Sequence, residues 1–279
     1  MNGDRRTAMA LHLLLTLADA DVARRVRKRL AVTEDPPAGP PPVWEAARQV
    51  SRAGTPASVL LWMLQADRPD INEVVYHVDG VGGRIQRDIL RGVPFGDGAR
   101  GPLPLAPGLR KQTEPVDLPG TGPRGVVSEL RAVTRMRQGR RAAAAVGRDD
   151  WAQVAAADLE EPLPGFARWA LATRIDCPKA LRERFSDHPS FAHRMRQAGI
   201  VAGPGAYAEN WRTAQDVLSV LDSGRWAFPG RLPEAEAVLR PLVQGSLGEN
   251  TEAWAVLAQL LPTFTGTAPE LIVTSGAIA

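Results

Sequence analysis

The chain has 279 residues, 44% of them apolar, enough for one elongated repeat domain or two ordinary ones with a real core. Its net charge is only +3, and the 31 Arg against three Lys, with abundant Ala, Gly and Pro, read as GC-rich, bacterial-type coding rather than as a phosphate-binding signature. A single cysteine, Cys177, excludes an intrachain disulfide, and no apolar run is long enough to span a membrane.

In chain order, residues 1–35 read as an N-terminal helix or helical hairpin. Leu11, Leu15, Ala18, Val22, Val26 and Leu30 share one helical stripe, and Asp19 or Asp21 is placed to cap a second helix. The opening residues imitate an export signal, but His12 interrupts the apolar run and a basic run, Arg24 to Arg29, follows at once. With one thiol and no export signal, the expected location is cytoplasmic. That basic run reads as a solvated helix face. Pro36 to Pro42 is a stiff extended spacer.

Residues 43–92 form a helical unit. Gly54-Thr55-Pro56 separates two helices, the second of which, ASVLLWMLQA, is apolar nearly all round and therefore buried. Asp67-Arg68-Pro69-Asp70 opens INEVVYHV, and a Gly-rich turn leads to RIQRDILRG. The pattern of 71–90 matches that of 166–185: an apolar segment, a tight turn, then a basic amphipathic segment. Residues 93–125 are a loop or linker, since residues 92–125 hold eight Gly and seven Pro.

Residues 126–279 form the C-terminal helical domain, organised around 148–200. Four short helices are expected there. Asp149 or Asp150 caps the first, which ends at Glu160-Glu161-Pro162, and Pro164-Gly165 opens the second. Asp176 with Pro178 opens the third. Ser186 or Asp187 with Pro189 opens the fourth, which Gly199 stops. Trp169, Leu171, Phe185 and Phe191 are the expected core. Further on, Pro241 should kink or divide a helix, and Asn250 caps the next. The strand-like stretches 73–78 and 270–274 leave room for a minor β contribution.

Motifs that carry chemistry are weak. Gly80-Val81-Gly82-Gly83 follows an apolar run like a dinucleotide turn, but Ile85 holds its third glycine position and no second βαβ strand follows. Gly120, Gly122 and Gly125 have the same spacing, but Pro123 removes a donor. His188 and His193 lie about 140° apart on a helix, so with Cys177 and Asp187 they do not frame a metal. Residues 179–200 have the outline of a DNA-binding helix-turn-helix, but Arg182 and Asp187 occupy positions where that motif wants a small and an apolar residue. No catalytic, cofactor-binding or metal site follows.

The turns Asp67-x-Pro69 and Asp176-Cys177-Pro178, with Leu181-Arg182 and Ile89-Leu90-Arg91, resemble those of HEAT-type and leucine-rich-repeat-variant proteins. That resemblance implies a scaffold that binds a macromolecule without chemistry of its own. The expected fold is therefore all-α: irregular stacked helical hairpins of an α-solenoid, interrupted by Pro/Gly-rich loops. The expected function is protein–protein interaction, with no cofactor and no membrane. The expected surface is Arg182, Arg184, Arg194 and Arg196, which should project from the rim of one hairpin, together with Arg137, Arg140 and Arg141. The alternatives are a nucleic-acid binder using those Arg faces and an enzyme on a HEAT-like base-excision fold.

Overall fold

The computed structural model describes residues 2–32, 41–52, 55–96, 98, 101–115, 125–186 and 190–279. All regular structure among them is helical. In chain order the helices are α1 (Asn2–Leu17), α2 (Ala20–Leu30), α3 (Val43–Arg52), α4 (Ala57–Leu64), α5 (Pro69–Tyr76), α6 (Gly83–Leu90), α7 (Val126–Arg131), α8 (Met136–Ala145) and α9 (Trp151–Glu160). They continue as α10 (Gly165–Ala172), α11 (Lys179–Arg184), α12 (Phe191–Gln197), α13 (Pro204–Asn210), α14 (Ala214–Ala227), α15 (Leu232–Leu242), α16 (Thr251–Leu260) and α17 (Ala268–Ile278).

Two compact units result. One comprises Met1–Thr55, Trp62–Ala66 and Val201–Ala279; the other comprises Pro56–Leu61 and Asp67–Ile200. The blocks expected from composition, 1–35, 43–92, 93–125 and 126–279, do not coincide with them. Composition marks where the chain bends, and long-range pairing decides which helices share a core.

In the first unit α1 packs along α14. Leu11, Leu14, Leu15 and Leu17 are buried on α1, and Val217, Leu218 and Leu221 on α14. Polar pairs fix the register of this seam: Arg6 donates to Asp216 (2.7 Å), Gln215 to Thr7 (2.8 Å), and the buried His12 ring meets Asp222 (2.7 Å). Such pairs are costly to leave unmade, so they penalise slipped alternatives. The break at Asp19 is present, with α1 ending at Leu17 and α2 starting at Ala20. The basic face of α2 is partly compensated: Arg24 pairs with Asp21, Arg25 with Glu249 and Arg29 with Glu252, while Lys28 is exposed.

Local punctuation is obeyed elsewhere. The Asn250 carboxamide accepts the Glu252 and Ala253 N–H groups at the start of α16. Pro241 passes α15 into a π-helical turn, Val243–Leu247. Both strand-like stretches are helical. Pro69 presets the first turn of α5 and Ile71, Val74 and Val75 are buried on one side, whereas Thr267 and Glu270 close a capping box on α17.

The second unit is built on Leu130, Val146, Val154, Leu163, Leu171, Leu181, Phe185 and Met195. Pro164-Gly165 opens α10, and Gly199, at φ +68°, ends the chain's run through α12. The capping role expected of Asp187 and Pro189 lies outside the described residues. Asp150 stands at the N-cap of α9, but its carboxylate accepts the Gly147 N–H at 2.6 Å instead of a helical one. Hairpins α5–α6 and α10–α11 have equal connections, and their hydrogen bonds correspond at an offset of 96 residues: Val81 N–H to the Val78 carbonyl with Cys177 N–H to Arg174 (both 3.3 Å), and the Gln86 side chain to the Tyr76 carbonyl with Arg182 to Ala172. The described part of the Pro/Gly-rich segment is anchored and holds one short 3-10 turn, Pro107–Leu109. The Asp67 carboxylate accepts Phe95 N–H at 2.8 Å, Leu103 donates to the Gly92 carbonyl at 2.7 Å, and Leu109 is buried.

Candidate interaction surface

Helix C-termini leave carbonyls without helical partners. In the second unit arginines fill these places. Arg84 donates to the Ala144 and Ala145 carbonyls and Arg174 to those of Ala143 and Val146, so two guanidinium groups close the end of α8. Arg182 closes α10 through the Ala172 (3.0 Å) and Arg174 (2.7 Å) carbonyls. Positive charge at a helix C-terminus is favourable as well as geometrically matched. Burial is the main reason that Arg84 and Arg182 lie below the ordinary arginine range.

A buried carboxylate organises the end of α9. The Asp158 side chain is 0% exposed and accepts Leu163 N–H (2.9 Å), Arg168 Nε (2.8 Å) and Arg184 Nη2 (2.8 Å). Arg184 also donates to the Ala155 carbonyl, and Arg131 to that of Ala157. Asp176 does not cap α11; its carboxylate pairs with Arg174 two residues away. Asp88 is half-buried near Arg84, Arg148 and Arg174. Burial first, then the neighbouring Asp176, raises its carboxyl above the usual range.

The seven arginines expected to form one surface therefore divide. Arg182 and Arg184 do not project from the rim; they are spent inside the fold, on carbonyls and on Asp158. The same geometry explains why Arg182 stands where a DNA-reading hairpin wants a small residue. Arg194 lies over the Trp169 ring, 3.0 Å from its centroid. Trp169 is accordingly half-buried, whereas Leu171 and Phe185 are core and Phe191 packs on its edge. Arg196, Arg137, Arg140 and Arg141 are exposed, with no ion pair or hydrogen bond to any described residue.

Three of these four share one helix face. Around α8, at about 100° per residue, Arg137, Arg140 and Arg141 fall within an arc of about 100°. Gly139, Ala142 and Ala143 are buried on the opposite side. A Cβ at Gly139 would sit 2.5 Å from the Phe166 carbonyl oxygen, so only glycine lets α10 approach this closely. The Gln138 carboxamide accepts the Thr134 and Arg135 N–H groups and closes the start of α8. Residues 130–148 contain six arginines and no carboxylate. On the adjoining helix Phe166 remains 42% exposed.

Cys177 is buried, and burial pushes its thiol up to about 12, which leaves it protonated and a poor nucleophile near neutral pH. His193 is exposed, and His188 lies outside the described residues. The signal missed in the sequence was Asp158, a carboxylate amid the apolar residues of α9, whose partners lie 10 and 26 positions away. Set against known protein families, curated proteins and solved structures, the chain matches none.

Proposed function

We propose that the chain is a non-enzymatic helical scaffold that binds an acidic partner protein through the outer face of α8. The observation that carries this reading is the set Arg137, Arg140 and Arg141: three exposed cations on one face, with no described counter-charge. In the other long basic run, on α2, three cations are already paired, Arg24 with Asp21, Arg25 with Glu249 and Arg29 with Glu252. What remains is a patch rising about 6 Å along the helix, the repeat of carboxylates placed four apart on a partner helix. A nucleic acid asks for a longer row of cations, because its affinity accumulates over many phosphates. The paired hairpins α5–α6 and α10–α11 support a HEAT-like plan of the second unit, and a cytoplasmic location fits the single buried thiol.

Titration of an acidic helical peptide with Glu at every fourth position, and of duplex DNA, tests the reading. The peptide should bind in low salt, and the Arg137→Ala/Arg140→Ala/Arg141→Ala variant should weaken it at least about tenfold, a loss of about 1.4 kcal/mol. Duplex DNA should stay unbound near about 0.15 M salt. Sub-micromolar DNA binding there that collapses in the variant would establish a nucleic-acid binder instead.

A further inference from the structure

Resting on that reading, we infer that the anion recognised by the α8 face is a phosphorylated side chain of the partner protein. Arg137 has Arg140 (i,i+3) and Arg141 (i,i+4) as its neighbours on α8, each with its Cβ about 5–6 Å away, and the two flank it on the same face. Guanidinium groups on stems this close can converge on one tetrahedral group. A single carboxylate offers two oxygens and one negative charge to three forks, leaving most of the cationic charge unmatched. A phosphate monoester offers three oxygens and a charge near −2 at neutral pH. No carboxylate occurs between residues 130 and 148 to compete for the arginines. The C-terminal carbonyls of α8, which would repel an anion, are covered by Arg84 and Arg174.

The test uses the full chain and three short peptides of otherwise identical neutral sequence, carrying phosphoserine, glutamate or serine at one position. The phosphopeptide should bind at least about tenfold more tightly than the glutamate peptide, the serine peptide should not bind, and the triple Ala variant should lose both. Replacing the trio with lysine keeps the charge and removes the forks. That variant should lose most of the phosphate preference while still holding the glutamate peptide. Equal binding of the phosphoserine and glutamate peptides, both lost in the Ala variant, overturns the phosphate assignment and leaves the acidic-partner reading standing. Phosphopeptide binding that survives the Ala variant overturns it too, because the phosphate is then held elsewhere. No binding of either single-site peptide overturns the phosphate assignment, and the acidic-partner reading falls with it only if the helical peptide with Glu at every fourth position also fails to bind. The substituted side chains are exposed, and unchanged helical circular dichroism establishes that the variants fold.

Discussion

Asp158→Ala should destabilise the second unit by about 3 kcal/mol or more, the low end of the range for breaking a buried ion pair. The carboxylate is wholly enclosed and ties three segments together: the 161–164 turn through Leu163 N–H, α10 through Arg168 and α11 through Arg184. Its removal leaves the N–H of the buried Leu163 without an acceptor. The two guanidinium groups are 23% and 34% exposed, so water recovers part of their loss, and for this reason the upper end of the range is not expected. Asp158→Asn preserves an acceptor for Leu163 and should fall between wild type and Ala. Urea unfolding followed by circular dichroism gives the comparison. A loss below about 1 kcal/mol for the Ala variant would mean that Asp158 does not organise this corner.

In the first unit the largest effect belongs to Trp62→Ala, with an expected loss of about 3–5 kcal/mol. Trp62 is 1% exposed and meets Tyr207 and Phe228 edge-on, with ring centroids 6.0 and 5.6 Å apart. The Arg231 guanidinium lies 5.6 Å over its ring, held there by Glu234 and by Gln65. Gly224 is part of the same packing, since a Cβ there would sit 2.6 Å from the Phe228 ring. The core around Trp62 is therefore already close-packed and cannot collapse into the space the indole leaves. Trp62→Phe should cost clearly less. Equal costs for Phe and Ala would mean that a smaller ring recovers nothing and that the close packing around the indole is not what the site contributes.

Much of the fold was legible because helix ends are written locally. Pro164-Gly165, Gly199, Asn250 and Pro241 each act within a turn of their own position, and each has its expected effect. Short β-branched runs were ambiguous. Val74-Val75 suits a strand or a buried helix, and Pro69 with the burial of Ile71 selects the helix. What could not be read is anything that depends on partners far along the chain. His12 and Asp222 meet across 210 residues, and nothing near either announces the other. The arginines posed the same difficulty. Arg182, which caps a helix, and Arg196, which faces water, look alike in the sequence, because what separates them is whether a helix end lies opposite. The periodic stripe also placed Trp169 in the core, while a guanidinium covers it instead.

The partition of the arginines is the central claim, and arginine-specific dicarbonyl labelling of the native protein, read by peptide mass spectrometry, tests it most directly. Arg137, Arg140, Arg141 and Arg196 should react first, and Arg84, Arg174 and Arg182 at least about tenfold more slowly until the chain is unfolded. If Arg174 and Arg182 react as fast as Arg140 in the folded protein, the inward set is not engaged on helix ends and the account is wrong.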